Sequence, residues 1–227
     1  MTSQSNNFNP KIKYIPNIHS ISKEQYKKLI IDIIQALYIE SRHATILLNK
    51  LASLNDKIII INKDPSIYVS TNCIYPKIIY PERNHGYGDN IIIVIPPSYE
   101  GFIDSVEPLI DYNNSDSDGE NKSLIHQLHN GIPLKKKIDN NTLNKFKIIK
   151  RQQYCKIYFA HELLHAYHYF YNTFNENTNY LEEAAVIYGL EGYTILHNDK
   201  EIYITENIIR GDYGYYPRIS HNFEKSL

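Results

Sequence analysis

The chain has 227 residues, 42% of them hydrophobic, and a formal net charge of −1. That length buries one substantial core, and the near-neutral charge removes any global electrostatic case for nucleic acid. No stretch of eighteen apolar residues occurs and the N-terminus has no apolar segment, so neither a membrane span nor a Sec-type signal is expected. Cys73 and Cys155 are too few for a disulfide framework and read as buried thiols in a reducing compartment. Ile, Asn, Lys and Tyr are abundant while Trp is absent, a bias that an AT-rich bacterial genome produces without functional cause.

Residues Met1 to Asn17 are rich in Ser and Asn and read as a disordered leader, suited to a secretion signal or a plain frayed terminus. Residues 18–227 then form a single domain. Ser22 and Gln25 have the spacing of a capping box, and Leu29, Ile30, Ile33, Ile34, Leu37, Tyr38, Leu47, Leu48 and Leu51 continue at helical spacing. One long amphipathic helix to about Leu54 is expected, with His43 on its polar face. The period then changes. Lys57 to Asn62, Ile67 to Tyr75 and Asn90 to Ile95 read as strands, the last covered on both faces because Ile91 to Ile95 are all apolar. His85 is read as a turn residue. Asp111 to Lys122 is a loop whose acidic run, Asp116 to Glu120, lacks the twelve-residue frame of a calcium site. His126, His129 and the run Lys135 to Lys137 are read as surface.

From Thr142, Leu143, Phe146, Ile149, Ile157, Ala160, Leu164 and Phe170 recur at helical spacings without Pro or Gly, which predicts a helix across this region. It carries His161-Glu162-Leu163-Leu164-His165, an H-E-x-x-H. Two histidines four apart on a helix differ by about 40° of rotation, so both imidazoles reach one ion, and Glu162 stands about 100° round, near enough to touch a water there. This is the zincin arrangement, and a catalytic zinc takes a third side chain. Leu181 to Tyr188 reads as a short helix ending at Gly189, and either Glu182 or Glu183 supplies the third ligand. Glu183 is favoured, with Glu182 as its supporting partner or alternative; a merely solvated helix face is the rival reading. Further on, Thr205 caps a short helix through Glu206, Asn207 and Arg210, followed by Tyr213, Tyr215, Tyr216, Arg218 and His221. The chemistry asks Glu162 to accept a proton from water and pass it to the leaving amine, and a donor for the oxyanion is sought among His221, Tyr216 and Tyr213.

Taken together, H-E-L-L-H-A, E-E before a glycine, T-E-N-x-x-R and P-R-x-S resemble the NleD-type effector metallopeptidases, type III secreted proteases that bacteria deliver into host cells. The resemblance runs from about Tyr158 to His221, with a weaker match around Pro96 to Tyr112. It implies that His161 and His165 bind one zinc ion per chain, that Glu162 is the catalytic carboxylate, and that one of Glu182 and Glu183 completes the site. Glu206, Asn207 and Arg210 match the T-E-N helix and Arg218 the late arginine, as supporting residues. His221 departs from the tyrosine usual after P-R-x-S, which leaves the oxyanion donor open, and one extra residue before Gly189 leaves the third ligand open.

The fold implied is α+β and zincin-like, with a long N-terminal helix and a small mixed sheet packed on the active-site helix. The Glu182/Glu183 helix would lie below it and the tyrosine-rich C-terminus would close the cleft. The activity implied is a gluzincin-like zinc endopeptidase, monomeric, a virulence effector that cuts stress-activated MAP kinases in the activation loop in the host cytoplasm. A zincin acting as interbacterial toxin or processing peptidase keeps the same ligands, and a non-catalytic binding module is the remaining rival.

Overall fold

The structure, a computed structural model, describes residues 8–13, 22–62, 77–80, 90–95, 105–110, 124, 126–128, 132, 134–135, 138, 148–153, 155–171, 179–215 and 217–218. Its architecture is mixed α and β with a small sheet. The elements are β1 (Lys11–Lys13), α1 (Lys23–Glu40), α2 (Arg42–Ala52), β2 (Ile58–Asn62), β3 (Lys77–Ile79), β4 (Asn90–Val94), β5 (Ser105–Ile110), β6 (Ile148–Gln153), α3 (Cys155–Phe170), α4 (Asn179–Tyr188), β7 (Ile195–His197), β8 (Lys200–Ile202) and α5 (Glu206–Asp212).

The capping box expected at Ser22 is present: Ser22 Oγ accepts from the Gln25 N–H at 3.2 Å and Gln25 Oε1 accepts from the Ser22 N–H at 2.7 Å. From there Tyr26, Ile30, Ile33 and Leu37 place one buried stripe along α1. The single long helix expected to Leu54 is instead two. Ser41 is extended, with φ −124° and ψ 117°, and its hydroxyl accepts from the Ala44 N–H at 3.0 Å to cap α2. That hydroxyl also donates to Asp212 Oδ2 at 2.5 Å, and the same carboxylate receives the His43 N–H at 3.1 Å. The break is therefore fixed by a partner at the far end of the chain.

The four-stranded sheet has the order β1-β2-β4-β3. β2 pairs in parallel with β1 and β4, in register Ile60↔Lys11 and Ile60↔Ile92, and β3 closes the sheet antiparallel to β4 with Ile78 opposite Ile93. Ile91, Ile93 and Val94 of β4 are buried, as its central place between two strands requires. β1 lies inside the segment read as a disordered leader, so part of that segment is ordered by pairing with β2. The Ile67 to Tyr75 strand, His85, the Asp116 to Glu120 loop and His129 lie outside the described residues. His126 is exposed, as is Lys135.

Of the helix expected from Thr142, residues 142–147 lie outside the described residues. Ile148–Gln153 is a strand, paired antiparallel with β5 from Ile110↔Ile148 to Ser105↔Gln153, and helix starts only at Cys155. Pairing with a distant strand overrode a spacing that fitted a helix equally well. Residues Ile157 to His168 of α3 are all buried, because α1, α2, α4, α5 and β3 each pack on it. α4 is held from two sides: Val186 joins the main core, while Ala184, Ala185, Ile187 and Tyr188 meet Leu128, Leu134 and Ile138 in a second cluster. Gly189, at φ 84°, ends α4 by donating back to Ala184 and Ala185 carbonyls, a left-handed turn that glycine adopts without steric cost. No helix among the described residues is long and apolar enough to cross a membrane.

Candidate metal centre

α3 presents His161 and His165 one turn apart, with their Nε2 atoms 3.1 Å from each other. Glu183 comes up from α4, its Oε2 3.3 Å from His161 Nε2 and its Oε1 3.4 Å from His165 Nε2. These three side chains form the one group of metal-ligating type found among the described residues. Donor atoms around a tetrahedral zinc, with arms of about 2.0–2.1 Å, stand about 3.3–3.4 Å apart. The spacing of the three groups fits that ion.

The outer nitrogens are already committed. His161 Nδ1 lies 2.7 Å from Glu206 Oε2, and His165 Nδ1 lies 2.9 Å from Glu182 Oε1. A carboxylate at Nδ1 selects the tautomer that carries its proton there, which leaves a lone pair on each Nε2. The two Nε2 atoms face one another across 3.1 Å with Glu183 against both, so protons donated to that carboxylate, or a cation in their place, hold the three side chains together. Adjacent residues on a helix differ by about 100° in direction. Hence Glu183 reaches the inner nitrogens while Glu182 serves the outer one.

Both supporting carboxylates are buried. Glu206 heads α5 behind the Thr205 cap, whose Oγ1 accepts from the Ile208 N–H at 3.2 Å, and is 0% exposed. Its Oε1 accepts from Arg210 Nε at 2.6 Å and pairs with Arg210 Nη2, and its Oε2 accepts from Arg218 Nη1 at 3.0 Å. Asn207 fixes Arg218 in turn: its Oδ1 accepts from the Arg218 N–H at 2.6 Å and its Nδ2 donates to the Arg218 carbonyl at 2.8 Å. Glu182 has no arginine among the described residues. Its Oε1 is shared by His165 and by His168 Nδ1 at 2.8 Å, and its Oε2 has no hydrogen-bond partner among the described residues.

Burial lowers the basicity of His161, but hydrogen bonds to Glu183 and Glu206 outweigh it and push the imidazole up to about 10. His165 is pushed up to about 9 in the same way, by Glu182 and Glu183 against burial. Burial opposes ionisation of Glu183, yet its bonds to both histidines hold it well below the usual carboxylate range. Glu182 is lowered against its burial by His165 and His168, and Glu206 by Arg210 and Arg218. So concentrated a negative environment holds protons on the imidazoles, and a divalent cation between the Nε2 atoms would take their place.

Glu162 behaves differently. Burial is the main influence and raises its pKa, partly offset by His161 and His165. Its Oε2 accepts the Ile78 N–H of β3 at 2.8 Å, which anchors the carboxyl to the sheet edge. A buried carboxyl with a raised pKa beside a metal group is the usual environment of a general base.

Of the residues singled out in the sequence, His161, Glu162, His165, Glu182, Glu183, Glu206, Asn207, Arg210 and Arg218 meet in this one region. Tyr213 is elsewhere: Glu40, Asp212 and Tyr215 act on its phenol, and Lys156 Nζ sits 4.0 Å over its ring. Tyr216 and His221 lie outside the described residues. Sequence reasoning missed His168 and Tyr80. The signal for His168 was its place three residues after His165, on a helix where i and i+3 share a face; Tyr80 follows a three-residue strand and carries no motif. Comparison with known proteins gives no match, whether to a family model, a curated protein or a solved structure.

Proposed function

We propose that this chain is a zinc-dependent endopeptidase with a zincin-like domain, one ion held by His161, His165 and Glu183. The observation that supports it best is the convergence of the two Nε2 atoms, 3.1 Å apart, on Glu183, with each ring held by a carboxylate at its own Nδ1. Zinc, when bound, lowers the pKa of water and polarises a peptide carbonyl. Glu162 does the proton work: held through Oε2 by the Ile78 N–H, it takes a proton from the attacking water and returns it to the leaving amine nitrogen. The water oxygen joins the carbonyl carbon as the C–N bond breaks. Glu206 and Glu182 keep the imidazoles in the tautomer that the ion requires.

The order of motifs from Tyr158 to His221 extends the reading to an effector delivered into host cells, with a host protein as substrate and stress-activated MAP kinases as the first class to test. The experiment compares host-cell extract treated with the protein or with Glu162→Gln, and maps newly formed peptide N-termini. Ends that appear only with the parent protein are expected, and the variant is expected to retain zinc while losing about 10²–10⁴-fold in rate. New ends outside kinases would remove the substrate class and leave the peptidase. Equal maps for the two zinc-loaded proteins would sink the catalytic reading.

A further inference from the structure

We infer that Tyr80 supplies the hydrogen bond that stabilises charge on the substrate's carbonyl oxygen, its ring packed on Tyr169 one turn beyond His165 on α3. This inference rests on the zinc-peptidase reading and gives it a residue that sequence motifs did not provide.

The placement follows from two contacts. His161, His165 and Tyr169 are spaced four and four, so Tyr169 is the next position along the ligand stripe. The Tyr80 ring packs on Tyr169 with centroids 5.2 Å apart and planes tilted by 31°. Two residues earlier, the Ile78 N–H binds Glu162 Oε2 at 2.8 Å. Tyr80 is therefore pinned at both sides, by its strand to the proton-transfer carboxylate and by its ring to the helix turn beyond the second histidine. The residue is half-buried and its phenol oxygen is shut off from solvent, so a substrate carbonyl reaches it by displacing what covers it. Burial first, and then the charges of Glu162, Glu182 and Glu183, raise its pKa far above the ordinary tyrosine value. The phenol thus keeps its proton at any working pH, as a donor must, and those three carboxylates all belong to the metal centre.

Tyr80 transfers no proton. It donates a hydrogen bond that strengthens as negative charge grows on the carbonyl oxygen, the differential interaction that lowers a barrier. Tyr213 has the same functional group, but its surroundings are Glu40, Asp212, Tyr215 and Lys156.

The test needs no natural substrate. Co²⁺ replaces zinc, and acetohydroxamate, a monoanion that would present its carbonyl and N–O oxygens to the ion as a mimic of the charged reacting carbonyl, is titrated while the visible Co²⁺ band is followed. Tyr80→Phe keeps the ring on Tyr169 and removes only the hydroxyl. It is expected to leave Co²⁺ affinity within twofold and to weaken acetohydroxamate about tenfold or more, the size of one hydrogen bond to a charged acceptor. Equal hydroxamate affinity in parent and variant would overturn the inference and spare the metal site, as would the same loss in Tyr213→Phe in place of Tyr80→Phe. A parent protein that binds Co²⁺ but not acetohydroxamate would also overturn it. Failure of the parent to bind Co²⁺ would overturn the underlying reading as well, and is a different observation.

Discussion

The two histidines of the metal group are held by the same device built from different materials. On one side Glu206 is closed off completely, its charge matched by Arg210 and Arg218, with Asn207 gripping the backbone that carries the second arginine. On the other side the partners of Glu182 among the described residues are imidazoles, one from His165 of the candidate metal group and one from His168. The first support is matched by guanidinium groups and closed into the core; the second, among the described residues, is matched by imidazoles.

Glu206→Ala should break this asymmetry most severely. It leaves two arginines buried without their carboxylate, a loss of about 3–5 kcal/mol, which for a chain of this size lowers Tm by roughly 6–20 °C. A melt that moves by less than a couple of degrees would show that the cluster is not structural. Glu182→Ala removes a carboxylate with no buried arginine behind it. Its stability cost should be about 1–3 kcal/mol, while zinc affinity, measured by competition with a chelator, should fall about 10–100-fold. A stability loss equal to that of Glu206→Ala would erase the distinction.

Acid and alkali should separate the carboxylates of the cluster from its imidazoles without mutation. Glu206 has a folded pKa below its unfolded one, so the unfolded chain binds more protons; its contribution is present above about 4.5 and is lost as pH falls further. His161 and His165 have raised folded values, so in metal-free protein their contribution is complete below about 6.5 and is lost as pH rises through about 9 to 10. Urea midpoints measured across pH should show both arms with chelator present and only the acid arm with zinc, which occupies the protons' place. An alkaline arm unchanged by zinc would place the ion elsewhere. The smallest effect should come from His168→Ala, about 1 kcal/mol with zinc affinity changed no more than a few-fold, because Glu182 keeps its bond to His165.

The amino-acid sequence carried the site better than the fold. The spacing of His161 and His165 and the intact Glu162 are local facts, and helix geometry alone brings them together. Thr205 and Gly189 likewise mark helix ends by their own chemistry. The choice between Glu182 and Glu183 was not local: one step along α4 turns a side chain by about 100°, and only the packing of α4 between two clusters sets its rotation. The break at Ser41 depends on Asp212, 171 residues away, and the strand at Ile148 on a partner near Ile110. Tyr80, one of 21 tyrosines, has no distinguishing neighbour in the sequence and acquires one only when β3 meets α3.

Arg218 and Glu206 also set an order of events. In chain order His161, His165 and Glu183 precede Glu206, and Glu206 precedes the arginine that completes its neutralisation. Until Arg218 docks on Asn207, the carboxylate that orients His161 is a buried charge only partly compensated, so α5 gains little by packing. If His161 and His165 hold an ion, its tight capture would wait on the docking of the C-terminal segment, and whatever keeps Arg218 away from Asn207 would loosen the site as well.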